Sequence, residues 1–175
     1  MAIERSKRPV ATTRMTAIAR ELLDASPVCA IATVTSGGHA HVNTAYFAWS
    51  PEYDLVWLSE PRAKHSRNVR ASNTVAVAVY DSRQVWGRPD RGIQLFGSAR
   101  EADGADLESV EELYAKRFPA YHQYNPGAYR FYRFRARRLK LFDERELGTG
   151  VFVTARVAGE RRLAWERTEI YRSAA

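Results

Sequence analysis

The chain has one cysteine, only four lysines and no apolar run longer than a short strand. Each scarcity excludes something. A lone Cys29, set inside the apolar run Val28 to Val34, cannot close an internal disulfide and reads as a buried, unreactive thiol. That run is far too short to cross a bilayer, and Arg5, Lys7 and Arg8 are followed by no apolar signal core. A cytoplasmic protein with no membrane partner is therefore expected. No Ser-His-Asp pattern, P-loop or GxGxxG motif is present, which takes support from hydrolase, kinase and Rossmann dehydrogenase readings.

With lysine scarce, the net charge of +7 is carried by 23 arginines. Arginine favours bidentate contact with phosphate and carboxylate, and the balance suits nucleic acid, a membrane surface or an acidic small molecule. An arginine surplus spread along the chain follows equally from genomic base composition, so charge alone selects none of these. The 175 residues, 45% hydrophobic and 27% charged, predict a single globular domain over 1–175. Residues 1–10 lack apolar periodicity and predict a loose N-terminal arm.

A helix capped by Thr12 or Thr13 is expected next, with Met15, Ile18, Ala19, Leu22 and Leu23 forming its buried stripe. It ends near Ser26-Pro27, because proline disfavours helix in the residue before it. From Val28 the period becomes that of strands. VCAIATVT (28–35) turns at Ser36-Gly37-Gly38 into HAHVNTAYFAW (39–49), where Val42, Thr44, Tyr46 and Ala48 share one face and His41, Asn43, Ala45, Phe47 and Trp49 the other. A third strand over 55–59 leads to a short basic helix over 62–71, followed by strands over 74–80 and 92–100. Asp103 or Asp106 is expected to cap a third helix with Leu107, Val110, Leu113, Tyr114, Arg117 and Phe118 at helical spacing. A long strand over 129–142 changes buried parity near Arg137-Arg138, predicting a β-bulge, and a hairpin over 151–171 closes the chain. Tight turns make the strands largely antiparallel, so the expected fold is mainly β with α: a small barrel carrying two or three helices.

Three constellations carry possible chemistry. Lys64, His65, Arg67 and Arg70 fall within seven positions behind a Ser-Glu-Pro break, where a helix start adds free N–H groups and Ser59 a hydroxyl. An anion fits there, and so does an ordinary solvated basic helix. His39 and His41 have a metal-ligand spacing but no third ligand at a suggestive distance, so no metal site is expected. The run YRFYRFRARRLK (129–140) interleaves aromatics with arginines as a nucleic-acid strand does, yet no nucleic-acid module surrounds it, and an amphipathic strand with an arginine face is the simpler reading.

The order of helix, apolar strand, Gly turn, two strands, short basic helix, Val-rich strand and a strand ending in Gly97 resembles the pyridoxamine 5′-phosphate oxidase-like superfamily of flavin-binding split barrels. The resemblance spans residues 16–101 and continues compatibly to Tyr171. It implies an antiparallel Greek-key split β-barrel that forms a homodimer with FMN at the interface, and a lone chain exposing Phe47 and Trp49. The phosphate of FMN would be held by Lys64, His65, Arg67 and Ser59. Trp57 and Leu58 match the strand end passing beside the flavin, and His41, Val42, Asn43 and Thr44 match the strand that approaches its ring. Arg91 and Gly92 correspond to an Arg-Gln pair whose glutamine often helps bind the cofactor. Here His65 replaces a usual lysine, Gly92 offers only backbone, and the C-terminal substrate motif of true pyridoxamine phosphate oxidases is not recognisable. The implied activity is FMN-dependent oxidoreduction of a small molecule. Relatives extend it to deazaflavin-dependent reduction and to haem binding or storage. No catalytic acid or base is identified.

Overall fold

The period changes along the sequence resolve into nine strands and three α-helices in a computed structural model that describes residues 2–123, 126–159 and 161–172. The chain packs as two compact units, one of Met1–Ser26, Ala78–Leu95 and Arg137–Ala175, the other of Pro27–Val77 and Phe96–Ala136.

In the first unit, strand β1 (Ala2–Ser6) lies antiparallel to β9 (Arg162–Arg172), with Ala2 opposite Arg172 and Ser6 opposite Thr168. The expected loose arm is thus a strand over its first half. Its side chains are mostly exposed, so apolar periodicity could not reveal it, and main-chain pairing holds it instead. Helix α1 (Thr12–Asp24) buries the expected stripe of Met15, Ile18, Ala19, Leu22 and Leu23. Neither threonine caps it: Ala11 is the N-cap, and Thr12 Oγ1 instead donates to the Leu163 carbonyl at 3.0 Å. Strand β8 (Val151–Ala158) joins β9 to the C-terminal half of β7 (Arg130–Asp143), Phe142 facing Phe152 and Arg138 facing Arg156.

In the second unit, β2 (Val28–Val34) and β3 (Ala40–Trp49) form the expected hairpin, from Val28 opposite Tyr46 to Val34 opposite Ala40. Gly38, at φ 79°, takes the left-handed position in its turn. Strand β4 (Asp54–Ser59) pairs with β3 and with the N-terminal half of β7. Strands β5 (Thr74–Val79) and β6 (Arg91–Glu101) complete the order β7-β4-β3-β2-β5-β6, and a further β6–β7 pairing closes these six strands into an antiparallel barrel. At the crossing of β6 and β7, a Cβ on Gly97 would overlap the Arg135 carbonyl, so only glycine allows that approach.

The faces of β3 divide as the alternation predicts. Phe47 nevertheless has no exposure, lying opposite Trp57, and Trp49 is half-buried. On the other face of β3, Val42 and Tyr46 are 62% and 59% exposed. On β7 the buried set passes from Tyr132, Phe134 and Ala136 to Leu139 and Leu141, the parity change expected near Arg137-Arg138. Helix α3 (Ala105–Arg117) starts at Gly104, not at a capping aspartate, and buries Val110 and Tyr114 against Ala48, Val56 and Phe131. Leu107, expected in its stripe, is exposed.

Candidate functional site

Helix α2 (Lys64–Ala71) begins two residues later than its sequence suggests, behind the Pro61 break. Its eight residues are too few to hold as an isolated helix, so tertiary contacts must fix it. Ser66, Asn68 and Val69 are its buried residues. Asn68 Nδ2 donates to Thr33 Oγ1 at 3.0 Å, which fastens the helix to β2. From the last turn Arg70 donates to the Pro61 carbonyl at 2.5 Å, and to Glu101 Oε2 and the Tyr132 hydroxyl at 3.3 Å each. Arg70 is therefore a clamp on the loop and leaves the set of cations open to a ligand.

Ser59 ends β4 with 8% exposure, and its Oγ lies 2.6 Å from His65 Nε2. Ser66 Oγ donates to Ser59 Oγ at 3.4 Å. Burial, and then the charge of His41, push the His65 pKa below its ordinary value near 6.5, so the charged ring is disfavoured there.

Positive charge at this helix start rests on Lys64 and Arg67. Both are exposed, and neither forms an ion pair among the described residues. The N-cap Ala63 provides no side-chain bond, and the first intrahelical bond runs from Arg67 N to the Ala63 carbonyl at 3.0 Å. The amides of Lys64, His65 and Ser66 thus precede the helical ladder and join two unpaired cations and a serine-histidine pair. This donor set fits a phosphate group.

The remaining expected site residues are distributed unequally. His41 and Asn43 lie on the inner face of β3, half-buried, and His41 Nδ1 and Asn43 Oδ1 are buried without a hydrogen-bond partner among the described residues. Val42 and Thr44 point to the opposite, exposed face, so one ligand can meet all four only through the backbone. Trp57 is wholly buried and stacked on Tyr132, with 5.8 Å between ring centres. Leu58 turns the other way, into the cluster of Val110, Tyr114 and Phe131 under α3. Both side chains pack against neighbours within the chain.

Arg91 and Gly92 belong to the first unit and have partners there. Arg91 bonds Asp143 at 2.8 Å and Glu21 at 2.5 Å; burial alone would lower its pKa, but these bonds outweigh that and raise it. A Cβ on Gly92 would overlap the Phe142 ring, which fills the space a side chain would need. The sequence reading missed the supports of α2, namely Thr33, Ser66, Asn68 and Tyr132. The only local signal was a polar helix whose Ser66 and Val69, three residues apart, share a face.

The arginine-rich strand has a different outcome. Arg133 bonds Asp54 at 2.5 Å and Asp106 at 3.1 Å, and Arg138 bonds Glu166 at 2.6 Å. Lys140 faces Glu169 at 3.4 Å, and Arg130 and Arg135 lie 3.8 Å from Glu101 and Asp54. The face that read as a nucleic-acid strand is largely neutralised within the chain. Among the described residues, no helix is long and apolar enough to cross a membrane.

Comparison with known proteins adds the family. A haem-binding protein from Mycobacterium smegmatis matches with a TM-score of 0.68 and 18% identity over 86% of this chain, which spans only 60% of that protein. A Clostridium acetobutylicum protein described as related to general stress protein 26, of the pyridoxinephosphate oxidase family, matches with a TM-score of 0.64 and 12% identity over 84% of this chain and 97% of its own. HutZ, the haem storage protein of Vibrio cholerae, matches with a TM-score of 0.60 and 17% identity over 67% of this chain and 87% of its own. At such identities the likeness establishes the fold. No curated protein sequence matches. A family model described as pyridoxamine 5′-phosphate oxidase matches residues 15–143, a span that holds the barrel strands from β2 to β7, and the chain belongs to that family.

Proposed function

We propose that the protein is a homodimeric, cytoplasmic flavoprotein that binds FMN and carries out a flavin-linked redox reaction on a small molecule. The observation that carries this reading is the uncapped start of α2, where Lys64 and Arg67 lack partners among the described residues and Ser59 and His65 stand hydrogen-bonded beside them. Lys64 and Arg67 would supply charge to the phosphate, the first amides of α2 would supply directed donors, and His65 would respond by taking up a proton. The orphaned His41 Nδ1 and Asn43 Oδ1 offer polar contacts for the ring system. FMN itself supplies hydride or single-electron transfer, and the protein supplies binding and orientation. The open Val42 and Tyr46 on β3 favour a second copy of the chain as partner.

The test is to purify the protein, record its absorbance and titrate it with FMN. One FMN per chain, lost on charge reversal at Lys64 and Arg67, is expected. A protein that neither retains nor takes up flavin overturns the reading, and a strict monomer in light scattering overturns the dimer.

A second reading, haem binding on the same barrel, is favoured by one observation. His41 and His65 lie close enough to influence each other electrostatically, and His41 Nδ1 has no partner among the described residues. A Soret band on haem addition, abolished by His41→Ala and indifferent to FMN, would select it. A deazaflavin in place of FMN would appear in mass analysis of the released ligand.

A further inference from the structure

The first unit contains a cleft that the flavin reading does not use. Its volume is about 280 Å³, at the lower end of small-molecule sites. It lies between the end of α1, the connection from Tyr80 to Arg91, and Arg145 beyond β7. We propose that this cleft binds a small oxyanion, a carboxylate or phosphomonoester, carried on a compact apolar body.

The lining is two-sided in chemistry. Leu22, Ala25, Val85 and Pro89, with Tyr80, are its apolar lining residues, while Arg83, Arg88, Arg91 and Arg145 line it as four basic residues against the single acidic residue Asp81. Two of these arginines are already engaged. Arg83 forms two 3.0 Å bonds to Asp81, and Arg91 is held by Asp143 and Glu21. Arg88 and Arg145 are exposed and form no ion pair among the described residues. The engaged pair shapes the site, and the unengaged pair remains to meet an anion.

The connection is also preformed, which lowers the entropic cost of binding. Arg91 N donates to Gln84 Oε1 at 2.6 Å, Arg83 N to Asp81 Oδ1 at 2.9 Å, and Arg88 N to the Val85 carbonyl at 3.0 Å. On the same connection Trp86 is 98% exposed. A tryptophan so fully in water is uncommon without a contact to make. An inorganic ion alone would leave the apolar wall unused, and an uncharged ring would leave two guanidiniums unmet. Both parts of the ligand are therefore specified.

Calorimetric titration of the whole chain with phenyl phosphate and with benzoate tests this. At least one probe should bind saturably, once per chain, and about tenfold more tightly than either inorganic phosphate or phenol. Arg88→Ala together with Arg145→Ala should weaken it at least about tenfold, the loss of charge-assisted bonds. Flavin titration of the same variant should remain as in the parent. Absence of saturable binding by both probes, or affinity unchanged in the double variant, overturns the proposal. Loss of flavin together with the probe would make the cleft part of the flavin site and overturns it as a separate one. Should the double variant fail to fold, Arg88→Gln alone, at an exposed connection, decides by the same readouts.

Discussion

Two basic segments that look alike in sequence, residues 62–70 and 130–140, end with opposite roles. On β7, Arg133, Arg138 and Lys140 meet Asp54, Asp106, Glu166 and Glu169. On α2, Arg70 is engaged by Glu101 and burial disfavours the charged form of His65, but Lys64 and Arg67 have no carboxylate among the described residues. A cation marks a ligand site only where the fold leaves it without an internal partner. Density of arginine along the chain measures something else.

The comparison breaks first at α2. Lys64→Glu with Arg67→Glu should lower FMN affinity at least about a hundredfold, since two charge-assisted contacts become repulsive, while stability changes by under about 0.5 kcal/mol at these exposed positions. Calorimetry with FMN and urea unfolding of the same samples check both halves. On β7 the effects should exchange. Arg133→Leu leaves Asp54, whose side chain is 6% exposed, without its nearest cation. A loss of about 2–3 kcal/mol in urea unfolding is expected, with flavin affinity retained; a stable Arg133→Leu protein with weakened flavin binding would reverse the assignment.

A third test concerns Gly92, where the resemblance expects a glutamine and Phe142 occupies the space. Gly92→Gln should cost about 1–3 kcal/mol by overpacking. Adding Phe142→Ala should recover part of that loss, so a double-mutant cycle should show coupling between the two positions. Additive changes would mean the ring is not the obstacle.

The smallest effect is in pH. The folded-state pKa of His65 is depressed, by burial first and then by His41, so the unfolded chain binds the more protons. Its contribution to stability is fully present above the unfolded value near 6.5 and is lost as pH falls through the folded value. His65→Gln should flatten the stability profile below about pH 7. For the proposed flavin the sign is opposite: a phosphate favours the protonated ring, so FMN affinity should rise over the same descent. His65→Lys should tighten FMN at neutral pH and remove that dependence. A parent protein whose affinity is level with pH would show that His65 does not face the phosphate.

Much of the fold was legible because it is local. The stripe on α1, the β2–β3 hairpin and the parity change on β7 follow from periods of a few residues, which backbone geometry imposes. Cys29 was legible from its place inside an apolar run, and burial pushes its thiol pKa up to about 12. The helix caps were misplaced, since Thr12 found a distant carbonyl at Leu163 that competes with capping. Strand β1 was missed because its exposed residues have no apolar pattern and its partner is at the far end of the chain.

For the site, the sequence determined which residues stand near the start of α2, because that depends on neighbours along the chain. The tertiary structure alone decided which charges are free. Arg133 meets Asp54 from 79 positions away, and Arg91 meets Glu21 from 70. Electrostatic pairing depends on distance in space, and no local period encodes it.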